Sequence, residues 1–228
     1  MTSLIIVLVL SYLAGSIPTS IIAGRLLAGI DIRTRGSGNA GATNVYRVLG
    51  IGPAIAVAAV DVAKGAVAAL LISQIQVGTP APVDPMLLRL LAGGAAVVGH
   101  VWTVFAGFRG GKGVATAIGA LAGITPAALA CSVAVWITLL LSVRIMSVAS
   151  LGAAMVLPIG VWILEKGPEG GTPRDMLWFT GALALLIIFT HRRNIVRLFH
   201  GQEPRLGREK APEINASESA GAEGGGGA

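Results

Sequence analysis

Long runs of apolar residues constrain this sequence more than any other feature. They cover residues 3–24, 50–75, 86–106, 114–124, 126–143, 147–164 and 175–190. A bilayer core about 30 Å thick is crossed by a helix of roughly 20 apolar residues, and helices or closed barrels are the structures that satisfy the backbone hydrogen bonds inside it. Charged residues make up 12% of the chain, about half the share found in soluble domains. The runs therefore predict an all-α, polytopic integral membrane helical bundle.

The fourth run decides how many helices cross the membrane. Counting every run gives seven transmembrane helices, although residues 114–124 are too few to span a full bilayer. If the region 114–143 is partly re-entrant, five spans remain, and either count leaves the C-terminus on the cytoplasmic side. Pro18 lies inside the first run and predicts a kink, which membrane bundles tolerate where neighbouring helices supply hydrogen bonds.

The positions of Lys and Arg set the orientation of the bundle. With seven spans, one side receives in its short loops Arg25, Arg33, Arg35, Arg47, Arg109, Lys112, Arg144, Arg192, Arg193 and Arg197. The other side receives Arg89, Lys166 and Arg174. The positive-inside rule therefore predicts an outer N-terminus and a cytoplasmic C-terminus. The same rule accounts for the net charge of +6 without a nucleic-acid partner.

The two ends of the chain differ in what they are expected to do. No basic residue precedes the first apolar run, unlike in a secretory signal peptide, so we expect that run to remain as a helix. Near residue 207 the composition changes to Glu, Ala, Ser and Gly, with almost nothing to bury. We therefore predict a membrane-embedded domain over 1–207 and a disordered cytoplasmic tail over 208–228.

Three segments carry more glycine, amide, hydroxyl and cationic groups than helices expose to lipid. They are RGSGNAGATNVYRVLG at 35–50, GHVWTVFAGFRGGKGVATAIG at 99–119 and HRRNIVRLFHGQEPRLG at 191–207. The predicted topology places all three on the cytoplasmic face. We expect them to converge on a single site there.

The first segment offers ligands for a phosphate. Its glycines permit a loop, and its polar side chains are those of Ser37, Asn39, Thr43, Asn44 and Arg47. Hydroxyl and amide donors next to a forked guanidinium suit an oxyanion. The alternative interpretation is a cytoplasmic turn whose polar groups cap helix ends.

The second segment contains a glycine-rich turn formed by Gly110, Gly111, Lys112 and Gly113. Such a turn ahead of a helix N-terminus gathers free backbone N–H groups around an anion, and Lys112 adds a full positive charge. A Walker A loop needs Gly and Ser or Thr where this chain has Ala106 and Gly113, which argues against nucleotide hydrolysis.

The third segment places His191 three residues before Asn194, so that the two side chains share a face if the segment is helical. Glu203 follows within the same segment. The neighbouring arginines have an alternative interpretation as topology determinants and lipid-headgroup contacts.

Polar residues also lie within the predicted spans. Asp61 and Lys64 are one helical turn apart and form either a functional site or a self-neutralising structural pair. The hydroxyl groups of Ser147 and Ser150 lie close to Arg144 in the sequence. We expect His100 to be a packed, hydrogen-bonded histidine.

Together, GSGNAGATNVYR, GFRGGKGVAT, HRRNI and RLFHGQE resemble the bacterial acyl-phosphate:glycerol-3-phosphate acyltransferases, which are small integral-membrane enzymes. The likeness extends over nearly the whole chain to Gly207. It implies a multi-pass protein of the bacterial inner membrane with its active site on the cytoplasmic face. The implied reaction moves a fatty acyl group from acyl phosphate to the sn-1 hydroxyl of glycerol 3-phosphate, an early step of phospholipid biosynthesis. The products are 1-acylglycerol 3-phosphate, also called lysophosphatidate, and inorganic phosphate.

The motifs of that family also imply roles for individual residues. Catalytic roles fall to Ser37, Arg47, His191 and Asn194. The glycine-rich turn with Lys112 corresponds to a phosphate-binding element, and we expect further substrate contacts from Asn39, Thr43, Asn44 and Ser147. Glu203 matches a structural position. Where the family often has proline after its second-motif histidine, this chain has Thr103, a change outside the phosphate loop.

An acyl phosphate is a mixed anhydride whose phosphate leaves easily, so the enzyme mainly has to align the hydroxyl and stabilise charge. We therefore expect direct transfer, with His191 orienting the alcohol, because a nucleophilic Ser37 would need an adjacent base held by a third group. The expected partners are acyl phosphate, glycerol 3-phosphate, membrane lipids and a soluble acyl-phosphate synthase. No metal or redox cofactor is expected.

Two other functions stay open at this point. A transporter of an organic anion also has broken helices, intramembrane charges and helix N-termini at its anion site. It should show access from both faces and internal repeats, whereas the polar segments here share one face and the sequence has no convincing repeat. A purely structural membrane scaffold explains none of the clustered polar loops.

Overall fold

A computed structural model describes residues 1–78, 81–166 and 173–207 of the chain. Over those ranges it is helical without a strand, which confirms the all-α prediction. The helices are α1 (Thr2–Gly15), α2 (Thr19–Ala28), α3 (Ala42–Leu49), α4 (Ile51–Leu70), α5 (Pro85–Val101), α6 (Val114–Leu121), α7 (Pro126–Val143), α8 (Met146–Leu164), α9 (Arg174–Thr190) and α10 (Arg192–Phe199). The tail predicted over 208–228 lies outside the described residues.

Five helical segments are long and apolar enough to cross a membrane. They are Thr2–Ala28, Ile51–Gln74, Pro85–Ala106, Pro126–Val143 and Met146–Leu164. Helix α9, with 17 residues, lies at the short end of the range that spans a bilayer. The run at 114–124, counted as a span in the seven-helix prediction, forms the eight-residue helix α6. That helix is about 12 Å long and cannot cross a bilayer.

The short helix α6 lies inside the bundle, against α4 and α5. Gly65 of α4 and Gly119 of α6 bring the two backbones into direct contact, because a Cβ atom on either glycine would overlap a carbonyl oxygen of the other helix. Its Ala117, Ala120 and Leu121 side chains are buried in the main apolar core. Small residues at such an interface allow close helix packing within a membrane. Helix α6 is thus a half helix surrounded by protein.

The kink predicted at Pro18 is a complete break in the first span. Helix α1 ends at Gly15 and α2 begins at Thr19. Proline carries no N–H group and therefore cannot continue the backbone hydrogen-bond pattern of α1. The break leaves Ile17 O and Thr19 Oγ1 available to residues of α4.

Long-range hydrogen bonds hold the three polar segments at one end of the bundle. Arg33 Nη1 donates to Ala106 O at 2.8 Å, which ties the loop before α3 to the loop after α5. Thr190 Oγ1, at the end of α9, donates to Lys112 O at 3.2 Å. Leu206 N donates to Arg144 O at 2.7 Å and fastens the last described residues to the turn between α7 and α8. The fold therefore brings together what the sequence places far apart.

Candidate active site

Lys112 precedes α6 and points toward α10. Its Nζ donates to Asn194 Oδ1 at 2.6 Å. Burial lowers the pKa of Lys112 to about 8, and the nearby positive charges of Arg197 and Arg47 act in the same direction, whereas the Glu203 carboxylate opposes them. The group is therefore still mainly cationic at neutral pH. Arg47, Lys112 and Arg197, one cation from each of the three polar segments, therefore lie close together around the Lys112 ammonium group.

Glu203 joins the third segment to α8 and α10. Its Oε1 accepts hydrogen bonds from Ser147 Oγ at 2.8 Å and from Asn194 Nδ2, and its Oε2 accepts from Arg197 Nε at 2.7 Å. Burial alone would raise the pKa of Glu203, but these hydrogen bonds outweigh it and hold the pKa below its usual value. Ser147, expected to contact substrate, is engaged with Glu203. The carboxylate orients Asn194, which in turn orients Lys112.

His191 lies between α9 and α10 and is 2% exposed. Its Nδ1 is 2.8 Å from Ile187 O, a carbonyl that can only accept, so Nδ1 carries the proton. Burial and the Lys112 charge lower the pKa of His191 to about 4, which makes the ring neutral at pH 7. Within the described part of the chain Nε2 has no hydrogen-bond partner, and its lone pair can accept a hydrogen bond from a hydroxyl group.

Asn44 shapes the first loop from the inside. Its Oδ1 accepts from Ser37 N at 2.8 Å and from Ser37 Oγ at 3.1 Å. Its Nδ2 donates to Ile32 O at 2.8 Å and to Arg35 O at 3.1 Å. An amide side chain offers two donors and two acceptor positions, so Asn44 has none left in this structure. In this structure Asn44 holds Ser37, and its substrate contact stays a prediction.

The first segment packs against the glycine-rich turn at Ala40 and approaches Lys112 with Arg47. Ser37 is exposed, and Asn39, Thr43 and Arg47 are half-buried. Arg47 is close enough to Lys112 to influence its pKa. A Cβ atom added to Gly111 would lie 2.7 Å from Ala40 O, so the two loops are packed against each other. The predicted convergence of the first and second segments agrees with these contacts.

The glycine-rich turn offers fewer free N–H groups than the sequence suggested. Gly110 N donates to Val101 O and Gly111 N donates to His100 O, each at 3.0 Å. The turn folds back onto the end of α5, and those two amides are therefore unavailable to an anion. Within the described residues no group accepts from the N–H groups of Lys112, Gly113 and Val114. The expected anion site thus begins at Lys112, at the N-terminus of α6.

Sequence reasoning missed two hydroxyl groups near these segments. Thr190 holds the Lys112 carbonyl, and Thr19 donates to Asp61 Oδ1 at 2.6 Å. Neither threonine belongs to a motif, and the one signal near Thr19 was the break at Pro18. Asp61, left open between two interpretations, also contacts Lys64 and His100. No cluster of three or more His, Cys, Asp or Glu side chains in the described ranges is placed to hold a metal ion.

Comparison with known proteins decides what kind of protein has this arrangement. The family model of glycerol-3-phosphate acyltransferase matches residues 5–201. The chain belongs to this family. The glycerol-3-phosphate acyltransferase of Chlorobaculum parvum is 44% identical over 226 residues, covering 90% of this chain and 97% of that protein. The enzyme of Chlorobium phaeobacteroides strain BS1 is 43% identical over 229 residues, with the same two coverages of 90% and 97%.

Solved structures agree with this membership. The crystal structure of PlsY, an integral membrane glycerol 3-phosphate acyltransferase, matches in its glycerol 3-phosphate form with a TM-score of 0.79 and 35% identity. Its lysophosphatidic acid form matches with a TM-score of 0.77 and 34% identity. Each comparison covers 90% of this chain and 96% of the other. The chain is therefore an integral membrane acyltransferase of phospholipid biosynthesis, which confirms the enzyme prediction and leaves the transporter and scaffold interpretations without support.

Proposed function

We propose that this glycerol-3-phosphate acyltransferase takes its acyl group from acyl phosphate and transfers it directly to the sn-1 hydroxyl of glycerol 3-phosphate. The products are 1-acylglycerol 3-phosphate and inorganic phosphate. The observation that carries the proposal is a half-buried cationic cluster beside a neutral histidine: Lys112 with Arg47 and Arg197, next to His191. Two phosphate-bearing substrates need positive charge more than they need a strong base.

Direct transfer is supported by the surroundings of Ser37. Its Oγ donates to an amide oxygen, that of Asn44, and not to a histidine or carboxylate. An activated serine nucleophile needs an adjacent base that is itself held by a third group. The described residues around Ser37 provide no such pair. We therefore assign Ser37 to substrate positioning or charge stabilisation during transfer and not to an acyl-enzyme.

In the proposed reaction the sn-1 oxygen attacks the acyl carbon, and the bond between that carbon and the bridging phosphate oxygen breaks. His191 Nε2 accepts a hydrogen bond from the hydroxyl and orients it, because a pKa of about 4 makes the ring a weak base. The hydroxyl proton ends on the departing phosphate, which balances the reaction. Lys112 and the first amides of α6 hold a phosphate, while Arg47 stabilises developing charge.

The orientation of the bundle is part of the proposal. The end that carries Lys112, Glu203 and the first loop also carries most of the basic residues, so the positive-inside rule places it in the cytoplasm of a bacterial cell, at the inner membrane. A soluble acyl-phosphate synthase would then reach the site from the cytoplasm. The acyl chains of substrate and product would remain among membrane lipids.

The donor is tested by measuring release of inorganic phosphate from the purified protein. Acyl phosphate with glycerol 3-phosphate should give phosphate release that depends on the glycerol substrate and equals lysophosphatidate formation. Acyl-CoA, offered in parallel, should give no product. Activity with acyl-CoA alone would refute the proposed donor while leaving the family membership intact.

A pH profile follows from the lowered pKa of Lys112. The ammonium group is charged below its pKa of about 8 and neutral above it, so phosphate binding weakens as pH rises through that value. We expect kcat/KM to fall on the alkaline side with a midpoint near 8, and kcat to fall at higher pH because a bound phosphate favours the charged form. Steady-state kinetics from about pH 6 to about pH 10 measure both.

The matched variant for that profile is Lys112→Arg. A guanidinium group stays charged over the whole pH range. In this variant, kcat/KM should therefore no longer show the alkaline limb, which is the fall with a midpoint near 8 expected for the wild type. If the limb persists unchanged in Lys112→Arg, another group is responsible for it.

A further inference from the structure

A buried network of charged and polar groups lies beneath the glycine-rich turn. Asp61 Oδ1 is 2.8 Å from Lys64 Nζ, 2.6 Å from Thr19 Oγ1 and 3.5 Å from His100 Nδ1. Asp61, Lys64 and His100 are 1%, 6% and 7% exposed. Lys64 Nζ also donates to Ile17 O at 3.1 Å, in the break between α1 and α2. The network thus connects α2, α4 and α5.

Lys64 alone is enough to neutralise Asp61. An ion pair in a membrane span needs a partner of opposite charge and hydrogen bonds for the remaining polar atoms. Thr19 supplies one such bond. Charge balance therefore does not explain why Asp61 also contacts His100. His100 is the residue through which the network contacts the glycine-rich turn.

His100 contacts the glycine-rich turn in two ways. Its carbonyl oxygen accepts the hydrogen bond from Gly111 N at 3.0 Å. Its ring lies against the same glycine, because a Cβ atom added to Gly111 would overlap His100 Nε2. A rotation of the ring would therefore displace Gly111. Lys112 follows directly and carries the displacement to the phosphate-binding ammonium group.

A small cavity lies beside the contact between the His100 ring and Gly111. Its lining includes Ile17, Thr19, Lys64, His100, Gly110 and Gly111. Residues of the ion pair, the broken helix and the glycine-rich turn thus face one common space. The turn rests on the network with little room to shift without disturbing it.

We propose that Asp61 is a positioning residue for acyl transfer, which acts through the His100 ring on the glycine-rich turn and so sets the location of Lys112. Asp61 and His100 touch no substrate in this scheme. The assignment of Lys112 to a phosphate rests on the proposed function. The contacts of His100 with Asp61 and with Gly111 rest on the structure. A merely structural ion pair would support folding without a specific effect on substrate affinity.

Two variants of His100 separate these roles. Asparagine keeps an N–H donor where Nδ1 faces Asp61 but is too short to reach Gly111, whereas glutamine reaches toward the Nε2 position beside Gly111 but loses the donor that faces Asp61. The KM to follow is that of the substrate whose affinity Lys112→Met lowers most. We expect His100→Gln to raise this KM by about tenfold and to keep kcat within about threefold of wild type. His100→Asn should raise that KM by a similar factor, because positioning needs both the contact with Asp61 and the contact with Gly111. Asp61→Asn should resemble His100→Gln in KM if it folds.

The readouts also distinguish this proposal from the proposed function. A KM unchanged from wild type in either variant would overturn the positioning role, and a lower melting temperature in both variants with KM unchanged would show a merely structural role. The change in melting temperature caused by glycerol 3-phosphate gives a second measure of affinity, and it needs no acyl donor. Activity of the wild-type protein with acyl-CoA would refute the proposed acyl donor. The comparison of the two His100 variants would remain valid in that case.

Discussion

Lys112→Met is expected to lower kcat/KM by roughly 10²- to 10³-fold, because the variant removes the half-buried positive charge that we propose binds a substrate phosphate. Methionine has nearly the same length and fills the same apolar space, so the fold should persist. Asn194 Oδ1 loses its donor, yet Asn194 keeps its hydrogen bond to Glu203. Initial rates and the melting temperature of the purified protein measure the two effects separately.

Lys166→Met is the matched control. Lys166 is exposed and follows α8 at the end of the bundle remote from the site. The same substitution there removes the same charge and should leave kcat/KM unchanged. Similar losses in both variants would point to a general effect of charge on the membrane protein, and normal activity in Lys112→Met would end the assignment of Lys112 to the active site.

Glu203→Gln is expected to lower both stability and activity. Oε2 accepts from Arg197 Nε at 2.7 Å, and an amide nitrogen in that place would face a second donor. Loss of a charged hydrogen-bond acceptor costs about 2 kcal/mol of folding free energy. The carboxylate also raises the pKa of Lys112. The alkaline limb of kcat/KM should therefore move to lower pH in the variant, a shift that loss of stability alone does not produce.

The control for this variant is Glu165→Gln. Glu165 follows the far end of α8 and accepts a hydrogen bond from Ala128 N at 3.2 Å. Helix α8 has 19 residues and is about 28 Å long, which separates Glu165 from Ser147 and the site. Glutamine keeps an acceptor for Ala128 N, so activity and the alkaline limb should stay as in the wild type. An unmoved limb in Glu203→Gln would contradict the electrostatic link between Glu203 and Lys112.

The general arrangement of the fold could be predicted because it follows from solvation. Apolar runs must be helical in a membrane, and the basic loops must share a side. The length of α6 was harder to predict, since an apolar run shows what can be buried and not whether lipid or protein covers it. Contacts at Gly65 and Gly119 decide that point, and they join residues far apart in the sequence.

The site was predictable as a set of groups but not in its internal geometry. His191, Asn194 and Lys112 were identified by type and spacing, and they meet in the structure. The side chain of Asn44 turns inward, and the amides of Gly110 and Gly111 return to α5. Composition cannot indicate which way a polar group points, because the choice depends on carbonyl groups left free by neighbouring helix ends.

The last described residues close the site. Glu203 bonds to Ser147 at the start of α8, and Leu206 N bonds to Arg144 O. Translation proceeds from the N-terminus, so Lys112 is made long before the carboxylate that orients its partner Asn194. In a chain still being synthesised, the proposed site therefore lacks the carboxylate that orients Asn194. Because that carboxylate lies beyond the last long apolar helix, the proposed site is completed only after α9 has been made.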